Sequence, residues 1–143
     1  MIKFLYIGID LEGIINLKFE KLINIAIEEA KKSTHPQHKI GCVLFIKNNI
    51  ISKGKNYPQK SVKHLLMKKY SPYPYSVHAE IDAIINAKTD LKKVNLLVVR
   101  ISKSGKLLLA KPCKYCQAYI DYVGIRKIYY SINTYPYIKI LEK

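Results

Sequence analysis

Acidic residues are scarce in this 143-residue chain, which carries 10 Asp and Glu against 25 Lys and Arg and a formal net charge of +15. Such an excess attracts polyanions, with nucleic acid first among them. Composition offers another explanation, because Lys, Ile, Asn and Tyr are all abundant, as an AT-rich genome produces without selection for binding. The charge alone therefore leaves nucleic-acid binding open.

The chain also lacks long hydrophobic runs, internal repeats, and Pro-, Ser- or Gly-rich linkers. Apolar stretches such as 40–46 are far too short to cross a bilayer. Gly8 and Asp10 interrupt the apolar beginning of the chain, which argues against a signal peptide. We therefore expect a soluble, intracellular protein without a membrane partner, folded as a single domain over residues 1–143.

Cysteine is rare as well, and three residues are too few for a disulfide framework. Cys42 lies within an apolar run and is expected in the core. Cys113 and Cys116 form a C-x-x-C pair, which favours metal or redox chemistry in an intracellular protein. His35 and His38 flank a proline in a loop, where solvated or capping roles are more common than metal binding.

Hydrophobic periodicity predicts alternating helices and strands. The order of helix, hairpin, helix, strand, helix and strand predicts the α/β class, as a three-layer α/β/α sandwich with a mixed central sheet. A segment with three prolines, 55–76, is expected to be a long irregular loop with a functional role. The predicted elements are a helix at 16–32, strands at 40–46 and 50–53 joined by a turn at 48–49, a helix from 78, strands at 94–102 and 107–109, a helix from 112 to 122 or 123, a strand at 125–132 and a short last element at 137–141.

Metal-binding residue types stand at the start of two predicted helices. His78 begins one helix, and Cys113 and Cys116 begin another. One nitrogen and two sulfurs suit tetrahedral Zn²⁺ with the fourth position open, which is the arrangement of catalytic zinc. Helix N-termini also favour thiolates. Glu80 lies two residues from His78, where it can reach the fourth position without being a ligand, as a proton shuttle requires.

The pattern H-x-E followed by P-C-x-x-C resembles the signature of the zinc-dependent cytidine and deoxycytidylate deaminase superfamily. The resemblance runs from the first helix to the strand at 126–131, and Gly54-Lys55-Asn56 is similar to the family's G-x-N. It implies that His78, Cys113 and Cys116 bind Zn²⁺ as cofactor and that Glu80 is the general acid and base. It further implies that Asn56 contacts the sugar and that the backbone N–H of Ala79 contacts a base carbonyl.

Tyrosines near these motifs are candidate substrate contacts, because aromatic rings stack on bases. Two departures from the family pattern are visible: the interval 81–111 is somewhat long, and Lys111 stands where tRNA adenosine deaminases usually carry Glu. The second departure disfavours adenosine as the substrate. The tyrosine candidates are Tyr57, Tyr73 and Tyr75 in the irregular segment, and Tyr130 and Tyr135 on or after a late strand.

The resemblance implies hydrolytic deamination of cytosine to uracil. The charge and the tyrosines favour single-stranded nucleic acid as substrate and partner, with DNA favoured over RNA. The alternatives are a free-nucleotide deaminase acting on dCMP or cytidine, a tRNA adenosine deaminase, and a non-catalytic zinc-stabilised module that binds nucleic acid. The presence of Glu80 argues against the last, because a structural zinc site has no use for that carboxylate.

Overall fold

A computed structural model describes residues 17–58 and 76–141, with side chains from Phe19 onward. No helix within these ranges is both long and apolar enough to span a membrane. The helices are α1 (Leu17–Lys31), α2 (Ala79–Ala87) and α3 (Lys114–Tyr122). The strands are β1 (Lys39–Ile46), β2 (Asn49–Lys55), β3 (Tyr57–Pro58), β4 (Ser76–Val77), β5 (Asn95–Ile101), β6 (Leu107–Leu108), β7 (Lys127–Ser131) and β8 (Ile138–Ile140).

The main sheet has the order β2-β1-β5-β7-β8, with β6 paired to the end of β5. Strand β1 runs antiparallel to both β2 and β5. Strands β5 and β7 are parallel, and α3 lies between them in the chain. Strand β8 returns antiparallel to β7. The predicted mixed sheet is therefore confirmed.

Side chains of the central strands alternate between two apolar cores, as the period of a strand requires. Val43 and Leu97 pack with α1 on one face of the sheet. Leu44 and Leu96 pack with α2 and α3 on the other face. All four are fully buried, and burial of such a side chain contributes about 1.5–3 kcal/mol. The predicted three-layer α/β/α sandwich is confirmed.

Two glycines allow helices to lie directly on strands. A Cβ at Gly41 in β1 would clash with the backbone of Ala26 and Ala30 in α1. A Cβ at Gly54 in β2 would clash with the backbone of Ala79 and Ala83 in α2. Gly54 thus sets the distance between the sheet and the helix that carries His78 and Glu80.

Replacing Gly41 with Ala should lower the free energy of unfolding by about 1–3 kcal/mol, because the helix must move away from the sheet to admit the methyl group. Urea denaturation followed by circular dichroism measures the change. Lys21→Ala, at an exposed position on the same helix, is the control and should change stability by no more than about 0.5 kcal/mol. Equal stability of Gly41→Ala and the wild type would contradict this packing.

Among the differences between observed and predicted boundaries, three concern the hairpin turn, the helix starts and the irregular segment. The hairpin turns at 47–48 rather than 48–49, with Lys47 at a positive φ of 54°. His78 and Cys113 are N-caps, so their helices begin just after them. The ends of the predicted irregular segment are ordered, since β3 pairs antiparallel with β4. Tyr73 and Tyr75 lie outside the described residues.

Candidate active site

The two metal-binding motifs meet at the N-termini of α2 and α3. His78 and Cys113 are the N-cap residues of these helices and have extended backbone conformations. Neither side chain caps its own helix, so both are available for other interactions. Cys116 lies in the first turn of α3 and is buried. The sequence thus places all three side chains where the two helices begin.

The three side chains form one cluster, in which the potential ligand atoms all lie within 4.8 Å of one another. The distance from His78 Nδ1 is 3.0 Å to Cys116 Sγ and 3.9 Å to Cys113 Sγ. In a tetrahedral zinc site, bond lengths of about 2.0–2.3 Å separate neighbouring ligand atoms by roughly 3.5–3.8 Å. The cluster therefore fits Zn²⁺ in both ligand type and spacing.

The electrostatics of the cluster favour a bound cation. A hydrogen bond from Cys116, helped by His78, lowers the pKa of the Cys113 thiol to about 3. The same hydrogen bond, together with burial, raises the pKa of Cys116. One thiolate is therefore already present, and the second thiol releases its proton when a metal binds.

Glu80 is the second residue of α2 and is only 5% exposed. Burial raises the pKa of its carboxyl group, and the nearby His78 partly opposes that rise. A carboxyl group with a raised pKa accepts a proton more readily than an ordinary carboxylate and can then return it. The geometry therefore places a cluster that could hold a metal ion beside a buried carboxyl group.

A cavity of about 270 Å³ opens beside the cluster, just under the range of about 300–1,000 Å³ typical of small-molecule sites. A larger cavity of about 830 Å³ lies elsewhere, between α1 and the turn after β5, and none of the candidate site residues lines it. The chemistry identifies the smaller cavity as the candidate active site. Its lining residues are His35, His38, Ile40, Asn56, Ser76, His78, Glu80, Arg100, Leu109, Ala110, Lys111 and Cys113.

Asn56 lines this cavity and is buried. Its Oδ1 accepts a hydrogen bond of 2.9 Å from the backbone N–H of Ile40, and its Nδ2 donates one of 2.7 Å to the carbonyl of His38. An amide nitrogen has two hydrogens, so one more can be donated to a ligand. These two hydrogen bonds also hold the residue that follows β2 against the start of β1.

The structure places the other predicted substrate contacts in different parts of the fold. Ala79 is fully buried as the first residue of α2, directly between His78 and Glu80. Tyr57 hydrogen-bonds to Asp82, which also accepts a 3.0 Å bond from the backbone N–H of Lys55. Three tyrosine candidates are not brought into the cavity lining: Tyr57 on β3, the half-buried Tyr130 on β7 and the 62% exposed Tyr135 in the turn before β8.

Sequence reasoning missed four basic side chains that line the cavity: Arg100, Lys111, His35 and His38. The two histidines were predicted to be solvated or capping. His35 Nδ1 does accept bonds of 3.1 Å from the backbone N–H groups of Gln37 and His38, so it caps its turn and also lines the cavity. Alternation along β5 was the available signal for Arg100, because it follows Leu96 and Val98 on the same face.

Comparison with known proteins gives consistent matches. A family model described as "Cytidine and deoxycytidylate deaminase zinc-binding region" matches residues 17–132. Human deoxycytidylate deaminase is 27% identical over 126 residues, 81% of this chain, and the mouse protein matches to the same extent. The chain spans 65% of the length of these relatives.

Solved structures share the fold. The dCMP deaminase of cyanophage S-TIM5, in its apo form, superposes with a TM-score of 0.60 at 21% identity, over 84% of this chain and 86% of that chain. Cytidine deaminase from Burkholderia pseudomallei superposes with a TM-score of 0.60 at 16% identity, over 85% and 90% of the two chains. The cluster of one histidine and two cysteines thus lies on a fold shared with these proteins.

Proposed function

Because the chain belongs to the cytidine and deoxycytidylate deaminase zinc-binding family, we propose that it is a zinc-dependent hydrolase that converts deoxycytidylate to deoxyuridylate and ammonia. The observation that carries this proposal is the cluster of His78, Cys113 and Cys116 beside the buried Glu80 at one cavity. The choice of deoxycytidylate rests on the curated relatives, which are deoxycytidylate deaminases.

His78, Cys113 and Cys116 would hold the zinc ion, through one nitrogen and two thiolates. Zinc bound by three protein ligands supplies a Lewis acid that lowers the pKa of water to about 7. The chain's own contribution is a fixed, partly buried cluster at two helix N-termini, whose partial positive charge stabilises the thiolates.

Glu80 carries the protons. Deamination adds water at C4 of cytosine and expels the exocyclic amine as ammonia, so a proton must leave the water and others must reach the ring N3 and the amine. A single carboxyl group between these positions can perform the transfers in turn. Burial of Glu80 keeps bulk water from competing for its protons.

Asn56 and Ala79 are proposed to orient the substrate. The second N–H of the Asn56 amide would donate to the sugar, and the backbone N–H of Ala79 would donate to the base carbonyl. Both groups belong to rigid parts of the fold, since Asn56 is bonded to β1 and Ala79 begins α2. Fixed donors of this kind hold the reacting carbon close to the water that attacks it.

A free nucleotide is better supported as the substrate than the single-stranded nucleic acid that charge and tyrosines favoured. The curated relatives are named for a free nucleotide. Among the described residues, basic groups rather than tyrosines line the cavity. A free nucleotide needs an enclosed site with phosphate contacts, whereas a polynucleotide groove uses aromatic platforms for the flanking bases.

The test is a comparison of kcat/KM for dCMP, cytidine and a cytosine-containing single-stranded DNA oligonucleotide, using zinc-loaded protein. We expect dCMP to be preferred over the oligonucleotide by at least about 100-fold, because buried polar groups left unpaired by the wrong substrate give large discrimination. Glu80→Gln prepared in parallel controls for contaminating deaminases. Faster uracil formation in the oligonucleotide would restore the polynucleotide interpretation.

A further inference from the structure

Arg100 occupies an unusual place for a charged residue. It follows Leu96 and Val98 on the face of β5 that is covered by α2 and α3, so the strand carries it from the core to the wall of the cavity. Its Nε is buried and has no hydrogen-bond partner among the described residues. A buried guanidinium donor without a partner is costly in a protein interior, so a ligand that brings a hydrogen-bond acceptor to this position would remove that cost.

The backbone around Arg100 is firmly held. Its N–H donates a 3.1 Å bond to Ser131 Oγ, and that hydroxyl donates a 2.6 Å bond to the carbonyl of Leu108. Ser131 thereby joins β5, β6 and β7 where the pairing of β5 changes from β7 to β6. On the other side, Arg100 is paired with Ile40, whose N–H binds Asn56. The guanidinium is therefore carried by a rigid strand close to the proposed sugar contact.

Two histidines also line the cavity. Together with Arg100 and Lys111, His35 and His38 form what we call the basic wall. Because His35 Nδ1 accepts two backbone bonds, its proton is on Nε2, which is a donor. The rings of His35 and His38 stack with centroids 5.4 Å apart. Burial, followed by the positive charge of Arg100, lowers the pKa of His38. An anion bound beside both side chains would offset the repulsion between them.

The charged side chains that line the cavity are mostly basic. Glu80, next to the metal cluster, is the single acidic residue among the described residues that line it. Arg100 and Lys111 provide fixed positive charges, and the histidines add N–H donors. A ligand with a neutral base near Glu80 and a dianionic group at the basic wall complements this distribution.

We propose that Arg100, supported by His38 and Lys111, binds the 5′-phosphate of the substrate and makes this site select a nucleoside monophosphate over a nucleoside. The inference rests on the proposed function, because it assigns the phosphate of that same substrate. Guanidinium groups bind phosphate oxygens through paired, charge-assisted hydrogen bonds. A terminal phosphate offers two negative charges to this wall, and a phosphodiester within a strand offers one.

The experiment compares ligands that differ only in the phosphate. Calorimetry on zinc-loaded wild-type protein should show that dUMP binds about 10- to 100-fold more tightly than deoxyuridine, as expected for charged hydrogen bonds. Arg100→Gln should remove most of that ratio while leaving the affinity for deoxyuridine unchanged. In kinetics, the KM for dCMP should rise by a similar factor. Lys106→Gln, an exposed lysine before β6 that does not line the cavity, is the matched control.

A second variant keeps the test decisive if Arg100→Gln fails to fold. His38→Gln leaves the backbone carbonyl that Asn56 binds and should reduce the dUMP-to-deoxyuridine ratio by a smaller factor. Equal losses of affinity for both ligands, or an unchanged ratio in both variants, would overturn the inference. If wild-type protein binds dUMP preferentially but deaminates no cytosine substrate, the proposed function fails and the phosphate site stands.

Discussion

Replacing Glu80 with Gln is expected to reduce turnover of the preferred substrate by about 10²–10⁴-fold, the usual contribution of a general acid–base group. The amide has nearly the same shape as the carboxyl group but cannot accept and release protons. Because Glu80 lies outside the cluster of one histidine and two cysteines, zinc content should stay at the wild-type value. Steady-state ammonia release and metal analysis of the same preparation measure both quantities.

The control for Glu80→Gln is Glu28→Gln, which removes an exposed carboxylate that pairs with Lys31 on the opposite side of the sheet. This variant should retain full activity and stability, since exposed ion pairs contribute little. Near wild-type turnover in Glu80→Gln would show that another group moves the protons. An inactive wild type would instead revive the non-catalytic interpretation.

The fold and the metal cluster could be predicted because their signals are local in sequence. The run at 94–102, rich in β-branched residues and with Arg100 as its one charged residue, indicated a central strand, and Gly124 marked the end of α3 with a positive φ of 85°. The H-x-E and P-C-x-x-C patterns each lie at the start of one helix, so each motif is positioned by a single element. The order of elements then brought the two starts to the same end of the sheet.

Contacts that depend on pairing between distant segments could not be predicted. Predicting the role of Arg100 requires knowing that the strand paired with β5 changes from β7 to β6 at that residue. Tyr57 was proposed as a stacking residue because it follows the G-x-N motif, whereas its hydroxyl interacts with Asp82 on α2 and its strand, β3, pairs with β4. Single tyrosines carry no periodic signal, and their surroundings are set by tertiary structure.

Charge was the least specific signal. A net charge of +15 applies to any polyanionic partner and does not separate a polynucleotide from a nucleotide phosphate. The distribution around the cavity is more informative, because Arg100 and Lys111 line it and no other lysine of residues 17–58 and 76–141 does. Where basic groups lie relative to the reacting carbon decides the substrate, and this requires the folded structure.

Replacing either cysteine of the cluster should have the second large effect, which is the loss of bound zinc and of activity. Wild-type protein is expected to contain about one Zn²⁺ per chain. Cys113→Ala and Cys116→Ala should each lose nearly all of it and have no measurable activity, because two remaining ligands hold zinc weakly. Stability should fall too, since zinc links the starts of α2 and α3. A ligand at 100 times its Kd stabilises the folded state by about 2.7 kcal/mol.

Cys42 provides the matched control for these replacements. It is a third free cysteine, fully buried between the sheet and α2, and it is not part of the metal-binding cluster. Cys42→Ala should lose some stability through the cavity it leaves yet keep about one zinc per chain and its activity. If Cys42→Ala lost zinc as fully as Cys116→Ala, metal loss would report general unfolding. Zinc retained at full occupancy in both Cys113→Ala and Cys116→Ala would exclude the assigned ligands.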